Sequence, residues 1–302
     1  AAIFIYIVFL YLWFFMDNKI HNKEQLLKKI DKNIPIICEI PFIRNNENLN
    51  IFQETSSNSR SILSESIRML ISNLKFTNPN FNDSKTTKSI LFTSSIKGEG
   101  KTLASVNTAL SLANDLKKDK KVILLGADLR NPQVHKIFQV EKNQKGISEI
   151  IYKNDVANYK KYLNTYGNLD VLFSGSIPPN PTSMLSSKTF GKLFLTLKKS
   201  YDFIIVDSAP CLLVSDTFQI INHVDSVVYM FRSNFTDSKI IEYINELNND
   251  HKVKNLNIVL NAVGNSAKYG YKYGYQYGYK YGYKYGYNYG YGYGYGNDSK
   301  TV

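Results

Sequence analysis

The chain has 302 residues, which is room for one large domain or two small ones. Hydrophobic residues make up 43% of it and charged residues 21%, so it can build a core and is not a wholly disordered chain. Two cysteines, Cys38 and Cys211, exclude a disulfide framework and a cysteine-based zinc site, and four scattered histidines exclude a His-rich metal site. The formal charge is +12, but no arginine-rich run with interleaved aromatic residues is present, so we expect no nucleic-acid partner.

The N-terminal residues are uncharged and apolar, and they read AAIFIYIVFLYLWFFM. A spanning helix needs about 20 apolar residues, so we predict that 1–16 is the end of a transmembrane helix that starts before Ala1. A buried core helix is the alternative, but no polar face interrupts the run. Five lysines follow between Lys19 and Lys32, and by the positive-inside rule they place the rest of the chain in the cytoplasm. We interpret 17–58 as a juxtamembrane linker.

The middle of the chain alternates short apolar runs with stretches of helical spacing. The runs are typical of strands that are buried on both faces of a parallel sheet. The predicted strands are Ser89–Ser94, Val122–Leu125, Phe203–Val206, Val227–Phe231 and Ile258–Leu260. Helical spacing covers Ser59–Phe76, where Ile62, Leu63, Ile67, Leu70, Ile71 and Leu74 share a face, and Thr102–Leu116. The alternation predicts an α/β domain over 59–263, with a doubly wound parallel sheet flanked by helices.

A phosphate-binding motif lies between the first predicted strand and the helix after it. The segment Ser95–Thr102 reads SIKGEGKT and ends in the Gly-Lys-Thr of a P-loop. Gly98 and Gly100 allow backbone N–H groups to curl around phosphate oxygens. Lys101 would neutralise the β- and γ-phosphates, and Thr102 would offer its hydroxyl to Mg²⁺. The motif therefore predicts a P-loop NTPase-like domain that binds ATP and Mg²⁺.

Two aspartates follow predicted strands and strengthen this prediction. Asp207 directly follows the run Phe203–Val206, and Asp128 lies three residues after Leu125. The carboxyl ends of parallel strands are where α/β proteins bind ligands. Each aspartate could instead cap a helix or lie in a loop. We predict that Asp128 and Asp207 hold Mg²⁺ with Thr102, and that Lys101, Asp128 and Asp207 are catalytic, with Asp128 as the proton acceptor.

The order of these motifs resembles that of the bacterial tyrosine kinases of the polysaccharide co-polymerase family. The resemblance runs through the apolar N-terminus, 34–41 (IPIICEIP), the helix with Glu65 and Arg68, the P-loop, 123–130 (ILLGADLR), Asn180-Pro181, 204–207 (IIVD) and the C-terminal tyrosines. It implies a cytoplasmic kinase at the bacterial inner membrane that phosphorylates its neighbours' tyrosines within a homo-oligomeric ring. The implied role is regulation of capsule or exopolysaccharide polymerisation and export. Implied partners are the polymerase and export machinery, the inner membrane and a protein-tyrosine phosphatase.

The resemblance also assigns residues. It implies ATP binding by Lys97, Gly98, Glu99, Gly100, Lys101, Thr102, Leu103, Arg130 and Asn261. Glu65 and Arg68 match the family's oligomerisation helix, whose third charged position is Ile71 here. The family usually has two acidic residues in the second Walker motif, and here Gly126 replaces the first of them.

Every second residue from Tyr269 to Tyr295 is tyrosine. The segment lacks the aliphatic residues of a core, so we expect 264–302 to be disordered. We predict that the tyrosines are phospho-acceptors; an adhesive aromatic tract is the alternative. The predicted acceptors are Tyr269, Tyr271, Tyr273, Tyr275, Tyr277, Tyr279, Tyr281, Tyr283, Tyr285, Tyr287, Tyr289, Tyr291, Tyr293 and Tyr295. Their phosphates would add about −21 to −28 charges and could push ring subunits apart.

Two other classes of protein fit parts of the pattern. A ParA/MinD-type ATPase resembles the fold, but it carries a lysine five residues before the P-loop lysine, where this chain has Ile96. A non-enzymatic co-polymerase module that binds ATP only to assemble is compatible with Gly126. Incubation with radiolabelled ATP separates the three classes, because they yield phosphotyrosine, free phosphate or neither.

Overall fold

The computed structural model describes residues 6, 17–43, 61–78, 81, 83, 86–115, 120–142, 144–212, 214–250 and 252–264. The predicted membrane segment, apart from Tyr6, and the predicted tyrosine acceptors lie outside the described residues. Within the described part of the chain, no helix combines the length and the apolar character that crossing a membrane requires. The fold below is that of the compact unit that ends at Val263.

An eight-stranded sheet forms the centre of this unit. Its strands are β1 (Ile36–Pro41), β2 (Lys88–Ser94), β3 (Val122–Gly126), β4 (Asn164–Tyr166), β5 (Leu169–Leu172), β6 (Phe203–Asp207), β7 (Ser226–Arg232) and β8 (Leu256–Val263). Their order is β1-β8-β7-β2-β6-β3-β5-β4. All neighbouring pairs are parallel except β4 and β5, which form an antiparallel edge.

Helices connect the strands and cover the sheet. They are α1 (Lys23–Lys29), α2 (Ile62–Thr77), α3 (Lys101–Asp115), α4 (Val134–Ile137), α5 (Ile147–Lys153), α6 (Pro181–Leu185), α7 (Lys188–Ser200), α8 (Asp216–Ile221) and α9 (Ile240–Asn249), with a 3₁₀ helix at Val156–Tyr162. Ser61 caps α2 by accepting a hydrogen bond from the Ser64 amide at 3.2 Å. Helices α2 and α3 pack with β2 and β3 in one hydrophobic core. Every residue of β2 is buried, as expected for a strand covered on both faces.

The predicted fold class is confirmed, because the sheet is largely parallel and a P-loop connects β2 to α3. Each predicted strand is present and is extended by one or more residues. One residue of the predicted apolar face of α2 was assigned wrongly. Ile62 is 58% exposed, because it is the first residue of the helix and precedes the turns that pack on the sheet.

Part of the range interpreted as a juxtamembrane linker contributes to the sheet. Strand β1 pairs in parallel with β8, and Ile37, Cys38 and Ile40 belong to the buried core. The segment before it, Asp17–His21, lies along the turn that follows β7, where the Ile20 amide donates to the Thr236 carbonyl at 3.0 Å. These residues are therefore part of the compact unit.

Candidate nucleotide and catalytic site

The candidate site lies where three adjacent parallel strands end. The register places Asp207 of β6 beside Phe92 of β2 on one side and beside Gly126 of β3 on the other. Strand β2 leads into the P-loop, and β3 leads into the loop that carries Asp128. The sheet therefore brings the P-loop and both aspartates to one edge, which is where parallel α/β sheets bind ligands.

The P-loop has the backbone conformation that its glycines predict. Gly98 and Gly100 have φ values of +94° and +100°, in the left-handed region that favours glycine. A Cβ atom on Gly100 would lie 2.0 Å from the Asn261 side-chain nitrogen, so a larger residue would have to displace Asn261 as well as adopt a strained backbone. Helix α3 begins at Lys101, and its N-terminus adds unpaired N–H groups and a partial positive charge to the loop.

Charged and hydroxyl side chains meet at this end of the loop. The Lys101 ammonium lies 3.3 Å from Asp128 Oδ2 and 3.4 Å from Thr102 Oγ1. The Thr102 hydroxyl donates to Asp207 Oδ2 at 3.0 Å. The backbone amide of Asn131 donates to Asp128 Oδ1 at 2.9 Å, which fixes this carboxylate. The three residues predicted to be catalytic, Lys101, Asp128 and Asp207, thus lie together.

Asp207 is completely buried, and one of its carboxylate oxygens is among five buried side-chain atoms that lack a partner in the described part of the chain. Among the described residues, Oδ1 has no hydrogen-bond partner. Burial raises the pKa of this carboxyl from 3.8 to about 6; the charge of Lys101 lowers it and that of Asp128 raises it. A buried acceptor without a partner is costly, and such costs concentrate at functional sites.

The donor set fits Mg²⁺. Protein sites usually hold this ion through one or two carboxylates together with substrate phosphates and water, rather than in an all-protein cage. Here two carboxylates and the Thr102 hydroxyl converge, and no cluster of three or more His, Cys, Asp or Glu residues occurs in the described part of the chain. The unpartnered Oδ1 atom of Asp207 is free to coordinate such an ion.

No model of a protein family matches the sequence. The tyrosine-protein kinase YwqD of Bacillus subtilis is 34% identical over 203 residues, which are 67% of this chain and 82% of YwqD. The chain belongs to the bacterial tyrosine-protein kinases. The tyrosine-protein kinase CpsD of Streptococcus agalactiae serotype III is also 34% identical, over 59% of this chain and 76% of CpsD.

Solved structures agree with this assignment. The kinase domain of the Escherichia coli tyrosine kinase ETK superposes with a TM-score of 0.69 at 25% identity, over 85% of this chain and 100% of that domain. The chimeric protein CapA2B2 superposes with a TM-score of 0.66 at 26% identity, over 80% of this chain and 99% of CapA2B2. The predicted family and enzyme class are therefore confirmed, and a P-loop kinase of this kind binds a nucleotide.

Of the other residues predicted to bind ATP, Asn261 contacts the P-loop. Asn261, at the end of β8, donates to the Glu99 carbonyl at 3.0 Å and accepts from the Ala262 amide at 2.8 Å. Lys97 and Gly98 are exposed on the P-loop, and Leu103 is half-buried in the first turn of α3. Their roles in ATP binding remain predictions.

Arg130 forms a bidentate ion pair with the buried Asp216. Its Nε and Nη2 atoms lie 2.7 and 3.0 Å from the two carboxylate oxygens, and Nη2 also donates to the Thr182 hydroxyl at 3.1 Å. The hydrogen bond that Arg130 donates to Asp216 raises the pKa of Arg130. The guanidinium thus ties the loop after β3 to α6 and α8, and its predicted contact with phosphate stays a prediction.

The predicted oligomerisation residues form a contact within one chain. Arg68 Nη2 lies 2.7 Å from Glu65 Oε1, one turn away on α2, and the Glu65 side chain is 63% exposed. Exposed pairs at this spacing stabilise a helix by about 0.2–0.5 kcal/mol. A role between subunits remains a prediction.

Several residues that build the site belong to no sequence motif. Arg232 and Thr236, in and after β7, bond to Gly98 and Glu99 of the P-loop, and Tyr229 donates to the Ser95 hydroxyl at 3.0 Å. These residues belong to no motif and lie more than a hundred positions from the loop. One hint existed, since Ser95 stands where a P-loop usually has glycine and its hydroxyl needs a buried partner.

Proposed function

We propose that this kinase is an ATP-dependent autokinase that phosphorylates C-terminal tyrosines of neighbouring copies. The observation that carries the proposal is the convergence of Lys101, Asp128, Thr102 and Asp207 at the P-loop of a chain that ends in alternating tyrosines. Transfer forms a bond between the tyrosine oxygen and the γ-phosphorus of ATP and breaks the bond to the β–γ bridging oxygen. ADP leaves with the electron pair of that bond.

Each side chain has a defined task in the proposed reaction. Lys101 binds the β- and γ-phosphate oxygens and offsets their charge. Asp128, held by the Asn131 amide, accepts the proton of the attacking tyrosine hydroxyl. Thr102, Asp128 and Asp207 would hold Mg²⁺, which supplies charge neutralisation at the phosphates when it is bound. Catalysis rests mainly on positioning and on electrostatic stabilisation.

The proposed setting is the cytoplasmic face of the bacterial inner membrane. The apolar N-terminus followed by lysines supports a membrane anchor over 1–16. We assign 59–263 to the kinase domain, which β1 from the juxtamembrane range 17–58 completes, and 264–302 to the acceptor tail. A homo-oligomeric ring through Glu65 and Arg68, regulation of capsule or exopolysaccharide polymerisation and export, and reversal by a protein-tyrosine phosphatase complete the proposal. The motif order supports these points.

The test mixes two chains. One carries the tail and Lys101→Met, and the other is active but truncated after Val263. We expect phosphotyrosine on the Lys101→Met chain, and a loss of at least about a hundredfold when that chain is incubated alone, because a transition-state charge partner is missing. The matched control is Lys199→Met, at an exposed position of α7.

Three outcomes contradict the proposal in different ways. Unchanged tail phosphorylation by Lys101→Met alone rejects the P-loop assignment. Absence of phosphotyrosine in a mixture whose co-assembly is confirmed by size-exclusion chromatography, when the wild type is active, rejects transfer between subunits. Release of free phosphate without phosphotyrosine by the wild type indicates an ATPase switch.

A further inference from the structure

The middle residue of the P-loop points its side chain into the protein. Glu99 is completely buried, and both of its carboxylate oxygens have protein partners. The backbone amide of Ile96 donates to Oε2 at 2.9 Å, and the Thr236 hydroxyl donates to Oε1. Because this side chain is completely buried and bonded within the protein, it is not exposed to a bound nucleotide, although the Glu99 backbone N–H remains part of the loop.

The direction of the Thr236 hydrogen bond follows from its other partner. The Arg232 backbone amide donates to Thr236 Oγ1 at 2.9 Å, so the hydroxyl proton is available for Glu99. Glu99 therefore accepts on both oxygens, which suits an ionised carboxylate. Burial opposes ionisation and raises the pKa of Glu99, while hydrogen bonds from Thr236, Ile96, Ser95 and Ser94 lower it, with Thr236 the largest of these. Thr236 is thus the main donor from outside the P-loop that keeps the carboxylate ionised.

Thr236 is itself rigidly held. Its own amide donates to the Arg232 carbonyl at 3.0 Å, and its carbonyl accepts from the Ile20 amide at 3.0 Å. The Arg232 guanidinium also donates to the Gly98 carbonyl at 2.8 Å. The turn after β7 therefore contacts the P-loop at two successive residues and provides a fixed point for it.

The loop needs such a fixed point because of its glycines. Glu99 lies between Gly98 and Gly100, both at positive φ, so it is the only residue of this stretch with a side chain. Glycine loses more conformational freedom on ordering than any other residue. Without the Glu99 anchor, the entropy cost of ordering this stretch would be subtracted from the free energy of nucleotide binding. The affinity for ATP would therefore be lower.

We propose that Glu99 and Thr236 form a positioning pair that fixes the P-loop in its phosphate-binding conformation. Neither side chain contacts the nucleotide; they act through the backbone N–H groups of the loop and through the start of α3, where Lys101 lies. The inference rests on the nucleotide site of the proposed function. It deepens that proposal, because it states that Glu99 and Thr236, which are not among the catalytic residues, increase the affinity for ATP.

The test compares two substitutions at one position. Thr236→Val keeps the shape of the side chain but removes the hydroxyl, and Thr236→Ser keeps the hydroxyl. We expect Thr236→Val to weaken ATP binding about tenfold or more in isothermal titration calorimetry and to raise the KM for ATP more than it lowers kcat. Thr236→Ser should stay close to wild type. The matched control is Thr87→Val, which removes a hydroxyl that donates to the Tyr201 carbonyl at 2.9 Å, at the opposite end of β2.

A second variant tests the pairing and covers the case in which Thr236→Val does not fold. Glu99→Gln replaces one acceptor oxygen by an amide donor, so it should weaken ATP binding to a similar degree. The double variant should bind about as weakly as either single variant, because both break the same contact. Wild-type affinity in a folded Thr236→Val or Glu99→Gln chain, or fully additive losses in the double variant, overturns the pair. A wild-type chain that binds no ATP in the same titration instead rejects the nucleotide site.

Discussion

The two sides of the phosphate-binding loop differ in how their buried carboxylates are satisfied. On the side that faces the turn after β7, Glu99 has protein donors on both oxygens. On the side that faces the end of β6, Asp207 is equally buried, but one of its oxygens has no partner among the described residues, and the pKa of this carboxyl is raised to about 6. The contrast agrees with the two roles proposed above, in which Glu99 fixes the shape of the loop and Asp207 binds a ligand.

Removing the Asp207 carboxylate should have the largest effect, because it should lower the kinase activity and raise the stability of the nucleotide-free protein. Asp207→Asn should lower the rate of tail phosphorylation at least about a hundredfold, because the charge that faces the phosphates and their counterion is lost. It should also raise the melting temperature of the nucleotide-free protein at pH 7.5, because a charge that burial disfavours is gone. Kinase assays and thermal unfolding of the same preparation measure both effects.

The stability gain should depend on pH. A carboxyl whose pKa is higher in the folded than in the unfolded state stabilises the fold below the unfolded value of 3.8, and this contribution is lost as pH rises to about 6. The advantage of Asp207→Asn should therefore be large at pH 7.5 and small at pH 4. The control is Asp216→Asn, which should destabilise the fold, because Asp216 is the bidentate partner of Arg130. Equal effects of the two substitutions would contradict the contrast.

A second carboxylate beside Asp207 tests whether the site tolerates more negative charge. Gly126→Asp supplies the acidic residue that the second Walker motif lacks, and the register places it directly beside Asp207. We expect the kinase rate to be preserved or raised. We also expect a loss of stability of about 1–3 kcal/mol, because the new Cβ would lie 3.1 Å from the Ser174 hydroxyl oxygen in a buried site.

The second substitution Ser174→Ala separates these effects. It removes the atom closest to the new Cβ, but also the hydrogen bond that the Ser174 hydroxyl donates to the Gly126 carbonyl at 2.6 Å. Thermal unfolding should therefore show that Gly126→Asp costs less stability in the Ser174→Ala chain than in the wild type. Steady-state kinetics of the double variant then report the carboxylate alone. A large loss of rate in this chain would mean that the site uses a different arrangement of charges.

The smallest expected effect concerns the start of the loop. Tyr229→Phe removes the hydroxyl that donates to Ser95, and it should cost about 1 kcal/mol of stability, because the buried Ser95 oxygen loses its partner. Combining it with Ser95→Gly removes both partners and should restore part of the loss. Chemical denaturation of the four chains gives the coupling energy, and a value of zero would show that this hydrogen bond contributes nothing.

The parts of the site that were predictable from sequence are those that motifs encode locally. Gly98, Gly100 and Lys101 are neighbours in the chain, and the apolar run before Asp207 predicts where its strand ends. These features determine the strand, the loop and the helix without reference to distant residues, so the α/β fold and the catalytic group could be predicted together.

The parts that were missed depend on contacts between distant segments. Thr236 lies in a polar turn with no periodic pattern, and only the pairing of β7 beside β2 brings it to Glu99. Strand β1 was missed for a similar reason: six residues that end in proline read equally well as a linker, and only pairing with β8 makes them a strand. Neither contact has a signal within a short window of sequence.

The position of β1 also affects how the protein is made. Its partner β8 is the last strand of the sheet along the chain. The hydrogen bonds between β1 and β8 can therefore form only after Ile258, about 220 residues after Ile36, has been synthesised. At a synthesis rate of about 5–20 residues per second, the ribosome needs on the order of 10–40 s to supply that partner. During this interval the nascent chain carries an unpaired apolar segment, and such segments invite pairing with other chains. Pro41 ends the strand and removes one backbone donor from it, which limits the template that a growing polypeptide offers to its neighbours on a polysome.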